Sequence, residues 1–386
     1  MMRTPPRVLV VAIATMVSLS ACAAPSGAAV AGPATDGGST VTSTPQAPAT
    51  PTQTATATAT QFTATAGNPK GKMKVPSYGR PVKSTKPNRV IGTGTPASCT
   101  SAAVVAAVAK GGIIKFNCGP DPVTITMLAT AKVRNTSKLV VLDGGGKVTL
   151  SGDKKRRILY QNTCDQAQVW TTSHCQNQQY PRLVVQNLTF ADGNSTGQRA
   201  EGGGGGAIFV RGGRFTAVNS TFVGNTCDST GPDLGGAAIR VLSQYKNKPA
   251  YVTASTFEGG RCSNGGALSS IGVSWVVLNS LFTNNKAIGK GANPKRSGTP
   301  GGGSGGAIYA DGNKFNIRIG GTVIQNNDAV EGGGAIFFVS NNRTGKLRIE
   351  YSTLKNNPSH RFWTRGYPGI FFLGKGKPSL SHSKLS

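Results

Sequence analysis

The sequence predicts an all-β fold in which one chain winds into a parallel coil that begins with a short helix. The main observation is a Gly-Gly-Ala-aliphatic motif that recurs at intervals of roughly 28 to 40 residues, a spacing that indicates stacked repeats. A Ser-Thr-Phe motif precedes most copies, and Asn pairs follow several of the strands. The five copies begin at Gly205, Gly235, Gly265, Gly305 and Gly333.

The predicted helix comes first in the coil. Residues 99–109 are almost all small or apolar, Thr100 or Ser101 can serve as the N-cap, and Gly111 ends the run. Such a helix can cover the first rung, where a bare strand edge would invite aggregation. Strands are expected next at residues 113–116, 123–126, 139–142, 147–150 and 183–190.

Apolar residues within each repeat alternate with a period of two, which is typical of strands. Ile208 and Val210 should therefore point one way, and Phe209 and Arg211 the other. The glycine pairs allow tight turns and close approach to the next rung. Asn after a second strand suits a left-handed turn and can stack as a ladder of amides.

These repeats, with the Leu142-Asp143-Gly144-Gly145-Gly146 segment before them, resemble the right-handed single-stranded parallel β-helix of the pectin-lyase-like superfold. The Gly-Gly-Ala-Ile and Ser-Thr-Phe-x-x-Asn motifs are similar to the repeats of polymorphic outer-membrane proteins and of other exported bacterial surface proteins. The resemblance covers about residues 96–373. It implies the fold and a surface location, whereas activity on this scaffold depends on sites that vary between proteins.

The N-terminus has the features of an export signal. Residues 1–21 combine Arg3 and Arg7 with a short apolar stretch and end in Leu-Ser-Ala, directly before Cys22. This pattern resembles a lipoprotein signal, in which Cys22 would carry the lipid and hold the protein on the extracytoplasmic side of the membrane or at the cell surface. An ordinary secretory signal is the alternative.

Composition divides the rest of the chain. Residues 22–66 are rich in Thr, Ala and Pro and are expected to form a disordered tether, because they have few large apolar side chains to bury. Residues 67–95 form a basic lead-in, residues 96–373 the β-helix, and residues 374–386 a basic tail.

Six cysteines remain beside Cys22, and an even number in an exported protein favours disulfides. Proximity along the chain favours the pairs Cys99–Cys118, Cys164–Cys175 and Cys227–Cys262, although other pairings are open. A zinc site is not expected, because the sequence contains no Cys-x-x-Cys or Cys/His cluster.

The chain is strongly basic. It carries 42 Lys and Arg against 14 Asp and Glu, for a net charge of +28. Such a surface favours polyanions, and we expect an acidic polysaccharide or an anionic cell-envelope polymer as the partner. No nucleic-acid-binding signature is recognisable, so nucleic acid is not an expected partner. The alternative is a basic surface that serves solubility alone.

A sparse row of acids is expected along one side of the coil. Asp233 and Glu331 each lie two residues before a Gly-Gly pair, and Glu201 lies near the equivalent place. These carboxylates could bind Ca²⁺, which prefers several converging oxygens, or form a pair for glycoside hydrolysis. In the alternative interpretation they accept backbone N–H bonds from the glycine turns.

A second predicted column lies on the outward strand face. One residue after each aliphatic of the repeat come Phe209, Arg240, Ser269, Tyr309 and Phe337, and Arg211 and Asp311 lie two residues further on in two rungs. If exposed, these aromatic and charged side chains form a candidate platform for acidic sugars. The alternative is that an insertion covers them; the three long insertions are residues 161–181, 243–249 and 286–303.

The leading prediction is a monomeric, membrane-tethered β-helix protein that binds acidic polysaccharide or envelope polymer. A polysaccharide lyase that uses Ca²⁺ and an Arg or Lys base, as pectate-lyase-like enzymes do, is the first alternative. The second is a surface adhesin or structural spacer. A Ser-His-Asp site is improbable because the chain has only 3 His, and whether the protein is an enzyme stays open.

Overall fold

The computed structural model describes residues 66–199 and 202–386. It confirms a mostly β protein built of stacked parallel strands with one α-helix near the start of the coil. The predicted signal segment, Cys22 and residues 22–65 of the predicted tether lie outside the described residues.

The helices and strands follow one another in short segments joined by tight turns. The α-helix α1 spans Ser101–Lys110, and single turns of 3-10 helix occur at Ser77–Gly79, Pro96–Ser98, Gln166–Gln168, Cys175–Asn177 and Tyr245–Asn247. The strands of the first half are β1 (Arg89–Ile91), β2 (Gly112–Phe116), β3 (Val123–Thr126), β4 (Ala131–Lys132), β5 (Leu139–Ser151), β6 (Leu159–Asn162), β7 (Arg182–Ala191), β8 (Ile208–Arg211), β9 (Arg214–Val218), β10 (Thr221–Val223), β11 (Ile239–Val241), β12 (Ala250–Thr253), β13 (Thr256–Glu258) and β14 (Arg261–Cys262). Those of the second half are β15 (Leu268–Ile271), β16 (Trp275–Leu278), β17 (Leu281–Thr283), β18 (Lys286–Ala287), β19 (Ile308–Gly312), β20 (Asn316–Gly320), β21 (Val323–Gln325), β22 (Asp328–Ala329), β23 (Ile336–Ser340), β24 (Lys346–Glu350), β25 (Thr353–Lys355), β26 (Ile370–Leu373), β27 (Ser379–Ser381) and β28 (Lys384–Leu385).

These strands form four parallel ladders along the coil. The first ladder runs from β1 through β2, β5, β7, β9, β12, β16, β20 and β24 to β27. The second begins at β3, shares the long strands β5 and β7, and continues through β10, β13, β17, β21 and β25 to β28. The third comprises β4, β6, β8, β11, β15, β19, β23 and β26, and the fourth comprises β14, β18 and β22.

Side chains stack in columns inside the coil because each residue pairs with its equivalent in the next rung. Along the second ladder, the rings of Phe190, Phe222, Phe257 and Phe282 are stacked in sequence with centroids 5.1, 4.7 and 4.7 Å apart. All four are buried, and burying each aromatic side chain stabilises the coil by about 1.5–3 kcal/mol. The repeated Phe of the Ser-Thr-Phe motif is therefore the core residue of its rung.

The turns between strands explain the repeated Gly and Asn. A Cβ atom at Gly306 would clash with the carbonyl oxygen of Gly334 in the next rung, so this position requires glycine. Asn285, Asn327 and Asn357 form the predicted amide ladder, in which each side-chain nitrogen donates to the next side-chain oxygen at 2.8 and 2.9 Å. Buried amides are thereby satisfied from rung to rung.

The N-terminal end of the coil is covered by α1. Thr100 is its N-cap, and the Thr100 hydroxyl oxygen accepts a hydrogen bond from the Ala103 amide at 3.2 Å. Val104 and Val108 are fully buried in the main core. Gly111 follows the last helical residue as the C-cap, and its φ of 67° suits glycine.

The three predicted disulfides are present. Cys99–Cys118, Cys164–Cys175 and Cys227–Cys262 have Cα–Cα distances of 5.6, 4.9 and 4.8 Å. The first ties the segment before α1 to the residues that follow β2.

Residues 67–88, which we call the strap, pack along the outside of the coil rather than extending away from it. Three backbone groups of the strap form hydrogen bonds with side chains of the coil. Met73 bonds to Asn279, Gly79 to Thr253, and Val82 to Gln186. After the strap, β1 pairs with β2, and at the other end β27 and β28 continue the first and second ladders. The coil thus extends beyond the predicted limits at residues 96 and 373, because both flanking segments supply strands.

Candidate functional site

The predicted outward column forms in the expected register. Phe209 pairs with Arg240, Arg240 with Ser269, Ser269 with Tyr309, and Tyr309 with Phe337 along the third ladder. Tyr309 and Phe337 stack with ring centroids 4.9 Å apart.

Of the two alternatives left open for this column, the structure shows the covered one. Phe209, Arg240, Tyr309 and Phe337 are all buried, and only Arg211 and Asp311 are half-buried. Side chains from other segments cover the face: the Arg157 guanidinium lies 4.9 Å from the Phe209 ring centroid, and Phe337 contacts the rings of Phe362 and Phe371. A sugar ring cannot stack on aromatic faces that the protein already covers.

The insertion at residues 286–303 covers the middle of the column through Asn293. The Asn293 side-chain nitrogen contacts the Tyr309 hydroxyl at 2.9 Å, Asp233 at 3.0 Å and Asp311 at 3.1 Å. Burial raises the pKa of the Tyr309 hydroxyl far above its usual value and also raises the pKa of Asp311. These groups form a polar network that holds the insertion against the coil.

Arg240 is the basic member of this network. Only 1% of it is exposed, and burial lowers its pKa to about 10 although Tyr309, Asp233 and Asp311 oppose the shift. Its guanidinium donates to the Ser269 hydroxyl at 2.6 Å and to the Asp233 carbonyl oxygen. Arg240 therefore satisfies neighbouring oxygens and does not reach solvent.

The predicted acidic row is not assembled from Asp233 and Glu331. Glu331 is buried and accepts two hydrogen bonds from Arg296, at 2.6 and 2.7 Å, and one from the Gly291 amide at 2.8 Å. Asp233 binds Asn293 instead. A Ca²⁺ ion at Glu331 would have to displace a guanidinium, so Glu331 does not suit calcium.

Glu201 lies outside the described residues, so its part in the calcium hypothesis stays a prediction. Over residues 66–199 and 202–386, no three His, Cys, Asp or Glu side chains come together as a metal site would require.

A different arrangement of basic and aromatic groups lies beside the first residues of the strap. Here a cleft of about 570 Å³, which we call the terminal cleft, opens between the strap and the last rungs of the coil. It is lined by Lys70, Lys72, Met73, Gly321, Tyr351, Ser352, Thr353, His382 and Lys384.

Tyr351 and His382 form the aromatic wall of the terminal cleft. Their rings stack with centroids 4.7 Å apart and an interplanar angle of 1°, and 58% of Tyr351 is exposed. Tyr351 lies in the turn between β24 and β25, and His382 lies in the turn between β27 and β28. Because β24 pairs with β27 and β25 with β28, the two turns lie in adjacent rungs.

The backbone conformation of these two residues is unusual. Tyr351 has a φ of 48° and His382 a φ of 49°, in the left-handed region, which a bulky residue such as Tyr351 seldom adopts and which histidine adopts more often. The equivalent turns in earlier rungs hold residues such as Asn219, Asn279 and Gly321, which accept this conformation more readily. Strained residues of this kind cluster at binding and catalytic sites, which makes the cleft the strongest candidate site in the described chain.

The residues that line the terminal cleft include three lysines and no Asp or Glu. Lys70, Lys72 and Lys384 are exposed, and none forms an ion pair with a residue of the described chain. Glu350, which precedes Tyr351, is already paired with Arg318 at 2.9 Å and with Arg348. An aromatic face beside unpaired ammonium groups can bind a ring that carries, or lies next to, a negative charge.

Sequence reasoning missed this site. Tyr351-Ser352-Thr353-Leu354 is a variant of the Ser-Thr-Phe motif, and His382-Ser383-Lys384-Leu385 occupies the next rung in the same register. The signal that could have revealed the site is the replacement of a turn-forming Asn or Gly by two aromatic residues at equivalent offsets.

No helix within the described ranges is long and apolar enough to cross a membrane. No curated protein and no solved structure shows a significant match to the chain. Residues 279–311 match the family model of the Chlamydia polymorphic membrane protein (Chlamydia_PMP) repeat. The matched segment runs from the turn at Asn279 to the end of the Gly-Gly-Ala-Ile strand, so the chain contains a repeat typical of exported bacterial surface proteins.

Proposed function

We propose that this protein is a surface protein that binds an acidic polysaccharide or another anionic cell-envelope polymer in the terminal cleft. The observation that carries the proposal is the stacked pair Tyr351 and His382, at a left-handed turn position that holds Asn or Gly in most of the earlier rungs, beside unpaired lysines. The ring of Tyr351 offers a stacking surface, and Lys72 and Lys384 offer positive charge. Export and a lipid anchor at Cys22 would place the site outside the cell.

The bulk charge of the chain provides attraction without specificity, so the test must separate the cleft from the rest of the basic surface. The double variant Lys72→Gln/Lys384→Gln removes two charges from the cleft. The matched control Lys110→Gln/Lys138→Gln removes two exposed charges near α1, at the other end of the coil. Binding to polygalacturonate and to poly(glycerol phosphate) is measured by calorimetry at two salt concentrations.

We expect the cleft variant to weaken binding by roughly ten-fold more than the control. Tyr351→Asn should also weaken binding without loss of stability, because Asn fits the left-handed turn as it does at Asn279. Equal losses in both double variants, together with an unaffected Tyr351→Asn, would show that binding reflects bulk charge and would refute the proposed site. The two polymers separate carboxylate from phosphate ligands.

The surface adhesin is the second candidate, and the match to a polymorphic membrane protein repeat favours it. For an adhesin or spacer, neither polymer should bind with an affinity that depends on Tyr351. Lyase activity stays a further prediction, tested by the release of unsaturated uronides that absorb in the ultraviolet.

A further inference from the structure

Two arginines lie side by side on the coil beneath the strap. Arg182 begins β7 and Arg214 begins β9, and the two pair directly in register along the first ladder, where neighbouring strands lie about 4.8 Å apart. The next residue of each strand, Leu183 and Phe215, is buried in the main core. Because side chains alternate along a strand, both arginines point to the outer face of the coil, and we call them the arginine pair.

No carboxylate of the described chain neutralises the arginine pair. Within residues 66–199 and 202–386 neither guanidinium forms an ion pair, and the Nε atom of each is buried without a hydrogen-bond partner. Only 5% of Arg214 is exposed. Burial lowers the pKa of Arg214, and the charge of Arg182 lowers it further, although Tyr78 and Tyr251 oppose the shift. Two like charges held together out of water are costly unless an opposite charge joins them.

Arginines elsewhere on this coil do have acidic partners. Arg296 binds Glu331 at 2.6 Å, and Arg318 binds Glu350 at 2.9 Å. Asp143 also lies beneath the strap, but amide and hydroxyl groups already donate to both of its carboxylate oxygens. The arginine pair is therefore an exception, and a bound anion could supply the charge that it lacks.

The ring of Tyr78, which belongs to the strap, covers the arginine pair. The guanidinium carbons of Arg182 and Arg214 lie 4.8 and 4.5 Å from its centroid. This contact is worth about 0.5–2 kcal/mol for each guanidinium but adds no negative charge. Because 40% of Tyr78 is exposed, its ring has room to turn toward solvent.

The backbone of the strap is held here independently of the Tyr78 ring. The Thr216 hydroxyl donates to the Tyr78 carbonyl oxygen at 3.1 Å, and the Thr253 hydroxyl donates to the Gly79 carbonyl oxygen at 2.6 Å. The ring can therefore move aside while the strap stays in place, which would open the arginine pair to a ligand.

We propose that the arginine pair binds a phosphate group, which takes the place of the Tyr78 ring over the two guanidiniums. A phosphate monoester carries about 1.5 to 2 negative charges at neutral pH and so matches two guanidiniums, whereas a carboxylate carries one. Phosphate oxygens also accept bidentate hydrogen bonds from guanidinium groups. Lys138, whose carbonyl oxygen accepts from the Arg182 amide, and Arg80 of the strap are exposed and add positive charge nearby.

The Nε–H groups of the arginine pair provide a direct readout. Their nitrogen–proton NMR signals in the full chain are assigned by their loss in Arg182→Gln and Arg214→Gln. Inorganic phosphate, glycerol phosphate and acetate are then titrated at constant ionic strength. We expect both signals to shift with the two phosphate compounds, and acetate to bind about ten-fold more weakly. The tighter of the two phosphate compounds distinguishes a phosphate monoester from free phosphate as the source of the group.

Substitutions test which side chains hold the anion. Arg182→Gln and Arg214→Gln should each weaken phosphate binding by about ten-fold, since each removes one of the two charges. Arg261→Gln is the matched control, because Arg261 is exposed and has no ion pair within the described ranges, and it should leave binding unchanged. Tyr78→Ala should strengthen phosphate binding about three-fold, because the ring no longer competes for the guanidiniums.

Thermal melting checks that the variants are folded, and the half-buried Arg182 keeps the test available if Arg214→Gln unfolds the chain. Unchanged phosphate affinity in the folded arginine variants would overturn the proposal, as would acetate that binds as tightly as phosphate. Weaker binding to Tyr78→Ala would also overturn it, because the ring would then belong to the site and not cover it.

The proposal does not depend on polymer binding in the terminal cleft. Arg214 lies four rungs before Tyr351 along the first ladder, about 19 Å away. Lys72→Gln/Lys384→Gln should leave the response of the Nε–H signals unchanged. Loss of the response in that variant would place the phosphate in the terminal cleft and would overturn the assignment to the arginine pair.

Discussion

The side chain of Asn279 holds both backbone polar groups of Met73. Its oxygen accepts from the Met73 amide at 2.8 Å, and its nitrogen donates to the Met73 carbonyl oxygen at 2.9 Å. Gln186 does the same for Val82, at 2.8 and 2.9 Å. At these two positions, amide side chains supply the hydrogen bonds that a neighbouring strand would otherwise make to the backbone of the strap. The bonds from Asn279 also hold Met73 in place as part of the lining of the terminal cleft.

Replacing Asn279 by Gly should release this part of the strap without unfolding the coil. The φ of Asn279 is 53°, which glycine adopts readily, so the change removes the two hydrogen bonds and keeps the turn. We expect a local loss of about 1–3 kcal/mol. Hydrogen exchange at the Met73 amide should accelerate, and polymer binding should weaken because Lys70 and Lys72 become less ordered.

Asn219→Gly is the matched control for this prediction. Asn219 also has a left-handed φ, of 43°, but its side chain donates to Asn187 and not to the strap. Exchange at Met73 should be unchanged in this variant. If both substitutions accelerate it equally, a general effect of glycine on the turns accounts for the result.

Tyr309→Ala should act on stability and not on polymer binding. The Tyr309 ring is fully buried and stacks on Phe337, so its removal leaves a cavity and should cost about 3–5 kcal/mol in urea unfolding. Tyr309→Phe keeps the ring and loses only the contacts to Asn293 and Asp311, and should cost about 1 kcal/mol. Reduced polymer affinity in a stable Tyr309→Phe protein would restore the outward column as a binding surface.

The sequence was sufficient to predict what depends on the repeat itself. The period-two alternation and the constant offset from Gly-Gly place Phe209, Arg240 and Tyr309 in one column, and the structure confirms that register. The exposure of the column could not be predicted, because the residue that covers its middle, Asn293, belongs to an insertion with no periodicity.

The strap and the terminal cleft were missed for the same physical reason. The strap has no apolar period of its own and is held by side chains far away in sequence, such as Asn279 and Gln186. Tyr351 and His382 meet only because their turns occupy successive rungs. Contacts that depend on stacking and not on local pattern leave little trace in a single sequence.

Removing the Cys99–Cys118 disulfide should loosen the N-terminal end of the coil. The bond closes a loop with a sequence separation of 19, for which loop entropy predicts a stabilisation of about 3 kcal/mol. In a Cys99→Ala/Cys118→Ala variant we expect faster hydrogen exchange in α1, whereas a Cys164→Ala/Cys175→Ala variant should leave α1 protected. Equal protection of α1 in both variants would show that packing of Val104 and Val108 alone is sufficient.

Glu331 should make the stability of the 286–303 insertion dependent on pH. Burial raises the pKa of Glu331, but hydrogen bonds from Arg296 and Gly291 and the charges of Arg296 and Arg361 lower it more, so its folded pKa lies below the usual value. A carboxyl whose pKa is lower in the folded state contributes stability above its unfolded pKa, about 4.3, and this contribution is lost as the pH falls through the folded pKa.

Glu331→Gln should therefore destabilise the insertion by about 1–3 kcal/mol at pH 7, since it leaves Arg296 without its carboxylate partner. The difference from wild type should shrink as the pH is lowered below about 4.3, because the wild-type carboxyl is then progressively protonated as well. Glu258→Gln is the control, since Glu258 forms no ion pair within the described chain, and it should cost less than about 0.5 kcal/mol. Urea unfolding at several pH values, followed by hydrogen exchange at the Gly291 amide, measures the effect. If the loss of unfolding free energy caused by Glu331→Gln stays constant between pH 7 and pH 3, Glu331 stabilises the insertion by its shape and hydrogen bonding and not by its charge.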